Sequence, residues 1–154
     1  SRRTVDEDGW LHTGDVATVD DDGYLYLVDR VKDLIIVSGF NVYPAEVESA
    51  LERHGGVAEA AVIGLPDPEW GEQVTAVVVP TDTAALADPA AADGLRSDLA
   101  NLARHELSAY KVPKVWELVA QLPRTTMGKV TKDTLRSRYS SGRGVAAPVT
   151  HGPT

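Results

Sequence analysis

Apolar and polar positions change period in short blocks along this chain, and each period predicts an element. Val16 to Val19 and Tyr24 to Val28 read as two short strands. Asp20-Asp21-Asp22-Gly23 between them is a strong turn signal, so the pair forms a hairpin. Two strands alone bury too little to be stable, and this hairpin must pack on something else. Leu34 to Val37 is an apolar, β-branched run and a third strand, broken by Ser38-Gly39-Phe40-Asn41. Pro44 suits the first position of a helix, and Glu46 and Glu48 suit its positive end. Val47, Ala50, Leu51 and His54 recur at helical spacing and form one buried stripe. Gly55-Gly56 ends that helix.

Val57 to Leu65 and Val74 to Val79 read as strands, the second stopped by Pro80. Pro66-Asp67-Pro68 and Gly71 bracket a rigid loop that holds Trp70. A long helix follows, with Asp88 as cap, Pro89 as opener, and Leu95, Leu99, Leu102 and Leu107 toward the core. Gly94 weakens or splits it. Pro113 stops the next loop, and Val115 to Val119 is a third core strand. Thr131 to Arg138 reads as a short helix capped by Thr131. From Tyr139 the composition turns to Gly, Ser, Ala, Pro and Thr, which predicts a flexible tail over 139–154. The fold class is α+β: a small domain with a three-stranded core sheet covered by helices, preceded by a β-hairpin.

Composition narrows the function. The 154 residues, 43% hydrophobic, suit one domain with an appendage. Fifteen Lys and Arg against 23 Asp and Glu leave a net charge of −8, a mean field that repels nucleic acid. No apolar run is long enough for a transmembrane segment, and no signal-peptide pattern opens the chain. The absence of cysteine removes disulfides, thiolate catalysis and thiolate zinc sites. A cytoplasmic location is the expectation. Ser1 to Trp10 reads as mid-protein loop, which predicts a piece of a longer polypeptide.

The candidate chemistry is sparse. His12, His54, His105 and His151 lack metal-ligand spacing, and no metal site is expected. His54, on an apolar helix face, suits packing. Gly128-Lys129 is not a P-loop: Pro123 stands where that motif needs glycine, and Val130 where it needs Ser or Thr. Lys129 has two readings. It is a solvated loop lysine, or an anion clamp that neutralises charge on a transferring carboxylate or phosphate oxygen. Gly128 would then allow close backbone approach, and Thr125 and Thr126 would add hydrogen bonds. Thr131 and Lys132 are explained as helix start and surface. Asp15 is a turn aspartate or a carboxylate for a vicinal diol such as ribose. Arg30, beside Asp29, makes a local salt bridge or belongs to a site. Lys32 lies on a polar joint that could hinge. Gly39 serves a turn or lines a narrow path. Trp70 and Gly71 suit packing and turn, and Trp116 and Tyr43 suit core or interface.

Three segments occur in order: Trp10-Leu-His-Thr-Gly-Asp15, Asp29-Arg30 through Lys32, Gly39 and Pro44 to Glu48, and Pro123-Arg-Thr-Thr-Met-Gly128-Lys129. Together they strongly resemble the C-terminal part of AMP-forming acyl-CoA synthetases. These belong to the adenylate-forming superfamily, with fatty-acid and 4-coumarate CoA ligases, firefly luciferase and peptide-synthetase adenylation domains. The match covers about Gly9 to Leu135, and Asp67 to Glu72 resembles the family's inter-strand loop. The resemblance implies a two-step ligase. A carboxylic acid and ATP give acyl-adenylate and pyrophosphate; coenzyme A then displaces AMP, and the C-terminal lid rotates between the steps. It implies that Lys129 serves adenylation, Asp15 grips the ribose, Arg30 lies near the ribose and the domain boundary, Lys32 is the hinge, and Gly39 lines the pantetheine tunnel.

By the same resemblance, residues 1–30 end the large domain, including the hairpin, and 31–138 form the mobile lid. Mg2+ and most ATP contacts belong to the missing large domain, so the fragment alone is expected to be inactive. Asn41 stands where some acetyl-CoA synthetases carry an arginine near coenzyme A phosphate. Two alternatives stand beside this reading: acyl transfer to a carrier-protein phosphopantetheine, and a non-catalytic stand-alone module.

Overall fold

The computed structural model describes residues 7–143. Its first unit is an antiparallel hairpin of β1 (Asp15–Val19) and β2 (Leu25–Arg30). Asp20 closes the turn: its Oδ1 accepts N–H bonds from Asp22 at 3.0 Å and Tyr24 at 2.9 Å. Its Oδ2 accepts from the Tyr26 hydroxyl. Val19, Leu25, Tyr26 and Leu27 are all exposed, as are Trp10 and Leu11 before them. So many large apolar side chains exposed on one short hairpin suit a segment that another surface covers.

A 3-10 turn at Val31–Asp33 leads into β3 (Ile35–Val37) and β4 (Phe40–Val42). The sequence reading treats Ser38 to Asn41 as a break. Instead Ser38 (φ 49°) and Gly39 (φ 84°) form a two-residue turn that sends the chain back as a second strand, pairing Val37 with Phe40. Two successive positive φ values give the turn whose twist matches a hairpin. Gly39 therefore joins two strands, not a strand and a helix. Helix α1 (Pro44–Glu52) opens on Pro44 as expected and buries Val47, Ala50 and Leu51. His54 lies just past its end and closes the turn, its Nδ1 accepting the Gly56 N–H at 3.0 Å.

The core sheet uses β5 (Val57–Asp67), β6 (Gly71–Pro80) and β7 (Val115–Leu118), the three strands predicted. β5 runs antiparallel along the whole of β6. The other edge of β6 is shared: β3 touches it at Gly71, and β7 pairs in parallel from Thr75 to Val78. The sheet thus has five strands, the short β3–β4 hairpin being the addition. Pro66 lies inside β5, where the sequence predicted loop. An edge strand tolerates proline because its outward N–H needs no partner. The connecting turn is accordingly shorter than predicted, and Asp67 Oδ1 holds it by accepting from the N–H groups of Glu69 and Trp70.

After a single turn, α2 (Ala84–Ala87), the long helix α3 spans Pro89–Glu106 without interruption. Asp88 caps it through the Ala90 N–H, and Gly94 does not split it. Tertiary burial of Ala92, Leu99 and Ala103 outweighs the roughly 1 kcal/mol that an interior glycine costs. Leu95 and Leu107 pack against the core from its flank. Helix α4 starts at Lys132 and runs to Arg143, past the predicted end at Arg138. Tyr139 packs against the core there, so the helix enters the span read as tail; residues 144–154 lie outside those described.

Alternation along β5 divides the core in two. Ala60 and Val62 face α1 and α3, with Val74, Ala76 and Val78 of β6. Ala61, Ile63 and Leu65 face the other way, under Leu122 and Leu135 of the final segment. Thr75, at the centre of β6, is fully buried, and its hydroxyl has no hydrogen-bond partner among the described residues. A buried hydroxyl left unpaired costs about 1–3 kcal/mol. Thr75→Val keeps the shape and is expected to raise the unfolding free energy by about 1 kcal/mol. A urea titration checks this; an unchanged or lower midpoint would show that the hydroxyl is satisfied.

Candidate active site

The lysine segment is a tight hairpin. Arg124 and Val130 form an antiparallel bridge. Within it the Thr125 N–H donates to the Lys129 carbonyl at 2.8 Å, and the Gly128 N–H to the Thr125 carbonyl at 2.9 Å. Gly128 has φ 83°, and an added Cβ would meet nothing within 4 Å. Glycine is required here for its left-handed backbone, not for space. The Lys129 N–H donates to Thr125 Oγ1 at 3.3 Å. Its side chain is exposed, and no ion pair or hydrogen bond of the ammonium is found among the described residues. Leu122 and Val130, on either side, root the hairpin in the core cluster under α4. Thr126 sits at its exposed tip.

Asp15 and Arg30 meet at the open end of the β1–β2 hairpin, where their backbones pair. Arg30 Nε lies 3.4 Å from Asp15 Oδ1. The local pair with Asp29 does not form. Asp29 instead accepts the Arg30 N–H at 3.0 Å and the Ala45 N–H at 2.9 Å. It therefore satisfies one of the free N–H groups at the start of α1 from far outside that helix. Lys32, in the 3-10 turn, points its ammonium to Asp133 of α4 at 3.8 Å. Its neighbour Asp33 binds Arg136 at 2.6 Å, so the joint is tied to the first turns of α4.

Gly39 lies at the tip of the β3–β4 hairpin, among aromatic and cationic groups. Phe40 stacks on Tyr110, ring centroids 4.9 Å apart. The Ser38 N–H donates to the Trp70 carbonyl at 2.8 Å. Lys114 places its ammonium 4.0 Å above the Trp70 ring. Trp70 is thus more than packing: it presents a face already paired with a cation. Lys111 binds Glu46 at 2.9 Å, and that hydrogen bond raises its pKa above the ordinary value. Trp116 and Tyr43 are half-buried, Trp116 against the core.

The structure brings Asp15 to Arg30, and Lys32 to the helix that follows Lys129. It does not join Gly39 to Lys129: their hairpins are rooted in core clusters on opposite faces of the sheet. Lys132 is not a surface residue. Its ammonium lies 2.7 Å from Glu48, with 15% and 19% of the two side chains exposed. Burial raises the Glu48 pKa, against the opposing pull of Lys132. This pair, Asp33–Arg136 and Glu59–Arg124 were all missed from sequence, since the partners stand 65 to 103 residues apart.

Among the described residues, no group of three or more His, Asp or Glu could hold a metal ion. No helix there is long and apolar enough to cross a membrane. A family model for the AMP-binding enzyme C-terminal domain matches residues 46–129. Feruloyl-CoA synthase from Amycolatopsis is 52% identical over 132 residues, which are 86% of this chain and 25% of that protein. A fatty acid–[acyl-carrier-protein] ligase from Streptomyces coeruleorubidus is 46% identical over 86% of this chain and 24% of its own length. ATP-bound MatB from Rhodopseudomonas palustris superposes with a TM-score of 0.75 at 42% identity, covering 89% of this chain and 26% of that one. The chain therefore spans about a quarter of the length of these relatives. On sequence and fold together, it belongs to the AMP-binding enzyme C-terminal domain family.

Proposed function

We propose that this chain is the lid of an ATP-dependent acid–CoA ligase, with residues 1–30 ending the large domain and 31–138 forming the lid. One observation carries the reading: Lys129 stands on a hydrogen-bonded hairpin with its ammonium exposed and uncommitted among the described residues. In the first half reaction a carboxylate oxygen attacks the α-phosphorus of ATP, and pyrophosphate leaves. Lys129 places one positive charge between the attacking carboxylate and the phosphate oxygens, where negative charge concentrates. Asp15 accepts hydrogen bonds from the ribose hydroxyls, and Arg30 holds that carboxylate in place from the adjacent strand.

In the second half reaction the thiol sulfur attacks the acyl carbon, and AMP leaves. Rotation about Lys32 brings the Gly39 turn to the site. Gly39 carries no side chain to obstruct a pantetheine arm, and Trp70 and Lys114 beside it suit an acceptor bearing adenine and phosphates. The rooting of the two hairpins in different core clusters supports a different surface of the domain for each step. The exposed apolar hairpin supports a large domain packed against it. Mg2+ and the acid pocket belong to that domain, the chain alone is inactive, and the enzyme works in the cytoplasm.

The test uses the full-length polypeptide that carries this chain, with a panel of aromatic and fatty acids. Acid-dependent exchange of labelled pyrophosphate into ATP is expected, followed by AMP release on adding coenzyme A. A panel that supports no exchange would sink the ligase reading. AMP release with a phosphopantetheinyl carrier protein, and none with coenzyme A, would select the second reading, which the carrier-protein ligase among the relatives supports.

A further inference from the structure

We propose that Arg124, anchored by Glu59, is a positioning residue that aims Lys129; the proposal rests on the adenylation role given to Lys129 above. The peptide unit that matters joins Gly128 to Lys129. Its orientation sets the direction in which the lysine leaves the hairpin. Glycine at φ 83° leaves that unit free to turn, because no Cβ restricts it. The structure restrains it at both ends. The Gly128 carbonyl accepts from Arg124 Nη1 at 2.9 Å. The Lys129 N–H, on the other side of the same peptide bond, donates to Thr125 Oγ1 at 3.3 Å.

The arginine is itself held from outside the hairpin. Its Nη2 pairs with the Glu59 carboxylate. Glu59 belongs to β5, where the pairing with β6 shifts register between Val57 and Glu59. It precedes Ala61, Ile63 and Leu65, which face the cluster where Leu122 and Val130 root the lysine hairpin. One planar guanidinium thus spans from the core sheet to the carbonyl preceding Lys129. Arginine suits this role: its planar fork reaches two acceptors in fixed geometry, whereas a lysine ammonium is a compact point charge. Glu59 also neutralises the guanidinium, which leaves Lys129 as the uncompensated cation of the hairpin.

A purely structural role makes a different forecast. The Arg124 and Glu59 side chains are 38% and 42% exposed, and exposed pairs add little to global stability. The effect of losing the pair falls on the direction of Lys129. Misplacement of a catalytic group by about 1 Å can cost about a hundredfold in rate.

The experiment compares Arg124→Ala, Arg124→Lys, Glu59→Gln and the double variant Arg124→Ala/Lys129→Ala in the full-length polypeptide. Arg124→Ala is expected to lower kcat for acid-dependent ATP–pyrophosphate exchange at least tenfold, on the order of a small misplacement. The ATP KM and thioester formation from supplied acyl-adenylate stay within about twofold. Arg124→Lys recovers only part of the loss, and Glu59→Gln, which keeps an acceptor, loses less than Arg124→Ala. In the Lys129→Ala background, Arg124→Ala costs nothing further. Equal loss in both half reactions, or a further loss in the Lys129→Ala background, overturns the proposal. A second measurement is independent of the ligase reading. In the 154-residue chain, 15N relaxation at Lys129 should show new mobility in Arg124→Ala with the melting temperature unchanged. An unchanged Lys129 amide overturns the positioning role even if the ligase assay succeeds. Lys129→Ala with normal exchange would overturn the adenylation role given to Lys129, while the relaxation data still judge the hairpin.

Discussion

Replacing Lys129 with alanine in the full-length polypeptide is expected to slow acid-dependent ATP–pyrophosphate exchange by about a hundredfold or more. The reason is electrostatic. In the proposed reaction negative charge gathers on the phosphate oxygens as the carboxylate attacks, and Lys129 would supply a cation placed in advance. Its hairpin is already closed by the Thr125–Lys129 and Gly128–Thr125 hydrogen bonds, so little reorganisation is needed when charge develops. Thioester formation from supplied acyl-adenylate should change by no more than about threefold, because the role proposed for Lys129 is confined to the first step. Equal losses in the two assays would contradict that division. Alanine in place of Lys129 should leave the melting temperature unchanged, since the side chain is exposed and its ammonium makes no hydrogen bond or ion pair among the described residues.

The second large effect is on stability. Lys132→Met removes the partner of Glu48 and leaves a carboxylate largely buried between α1 and α4. Breaking a buried ion pair from one side costs about 3–5 kcal/mol; with some exposure on both partners, a loss of about 3 kcal/mol is expected at pH 7. The pH dependence follows from proton binding. Burial already raises the Glu48 pKa above its ordinary 4.5, and Lys132 opposes that rise. Removing Lys132 raises it further. The folded state then holds its proton more tightly than the unfolded state, so stability falls as pH climbs from 4.5 through the raised folded value. The deficit of Lys132→Met is therefore greatest at pH 7 and shrinks toward pH 5. Urea midpoints of the chain at the two pH values test it, and equal deficits would refute the account. Adding Glu48→Leu should restore most of the loss, since apolar replacement of both partners removes the stranded charge.

The elements that were legible from sequence had strong local signals. Pro44 and Asp88–Pro89 mark helix starts, β-branched runs mark β5 and β6, and the aspartates before Gly23 mark the first turn. The errors fall where tertiary contacts override local preference. Gly94 is carried through α3 by the burial of Ala92, Leu99 and Ala103. Pro66 is admitted to β5 because that strand lies at an edge. Ser38 adopts φ 49°, uncommon for a residue with a side chain, and so the predicted break becomes a hairpin. The candidate site divides in the same way. Lys129, Asp15, Arg30, Lys32 and Gly39 stand out through ordered motifs, whereas their partners do not.

The order of motifs along the chain was sufficient for the family, and turn glycines, helix caps and strand periodicity were legible because they act over a few neighbouring positions. Only the tertiary structure decided what holds those residues. Glu59 reaches Arg124 across 65 positions, Glu48 reaches Lys132 across 84, and Asp33 reaches Arg136 across 103. Such contacts depend on which strand faces which helix once the sheet is assembled, and charge type and spacing along a sequence carry no trace of that choice. The lysine on its glycine turn could be read in advance; the arginine and glutamate bonded beneath that turn could not.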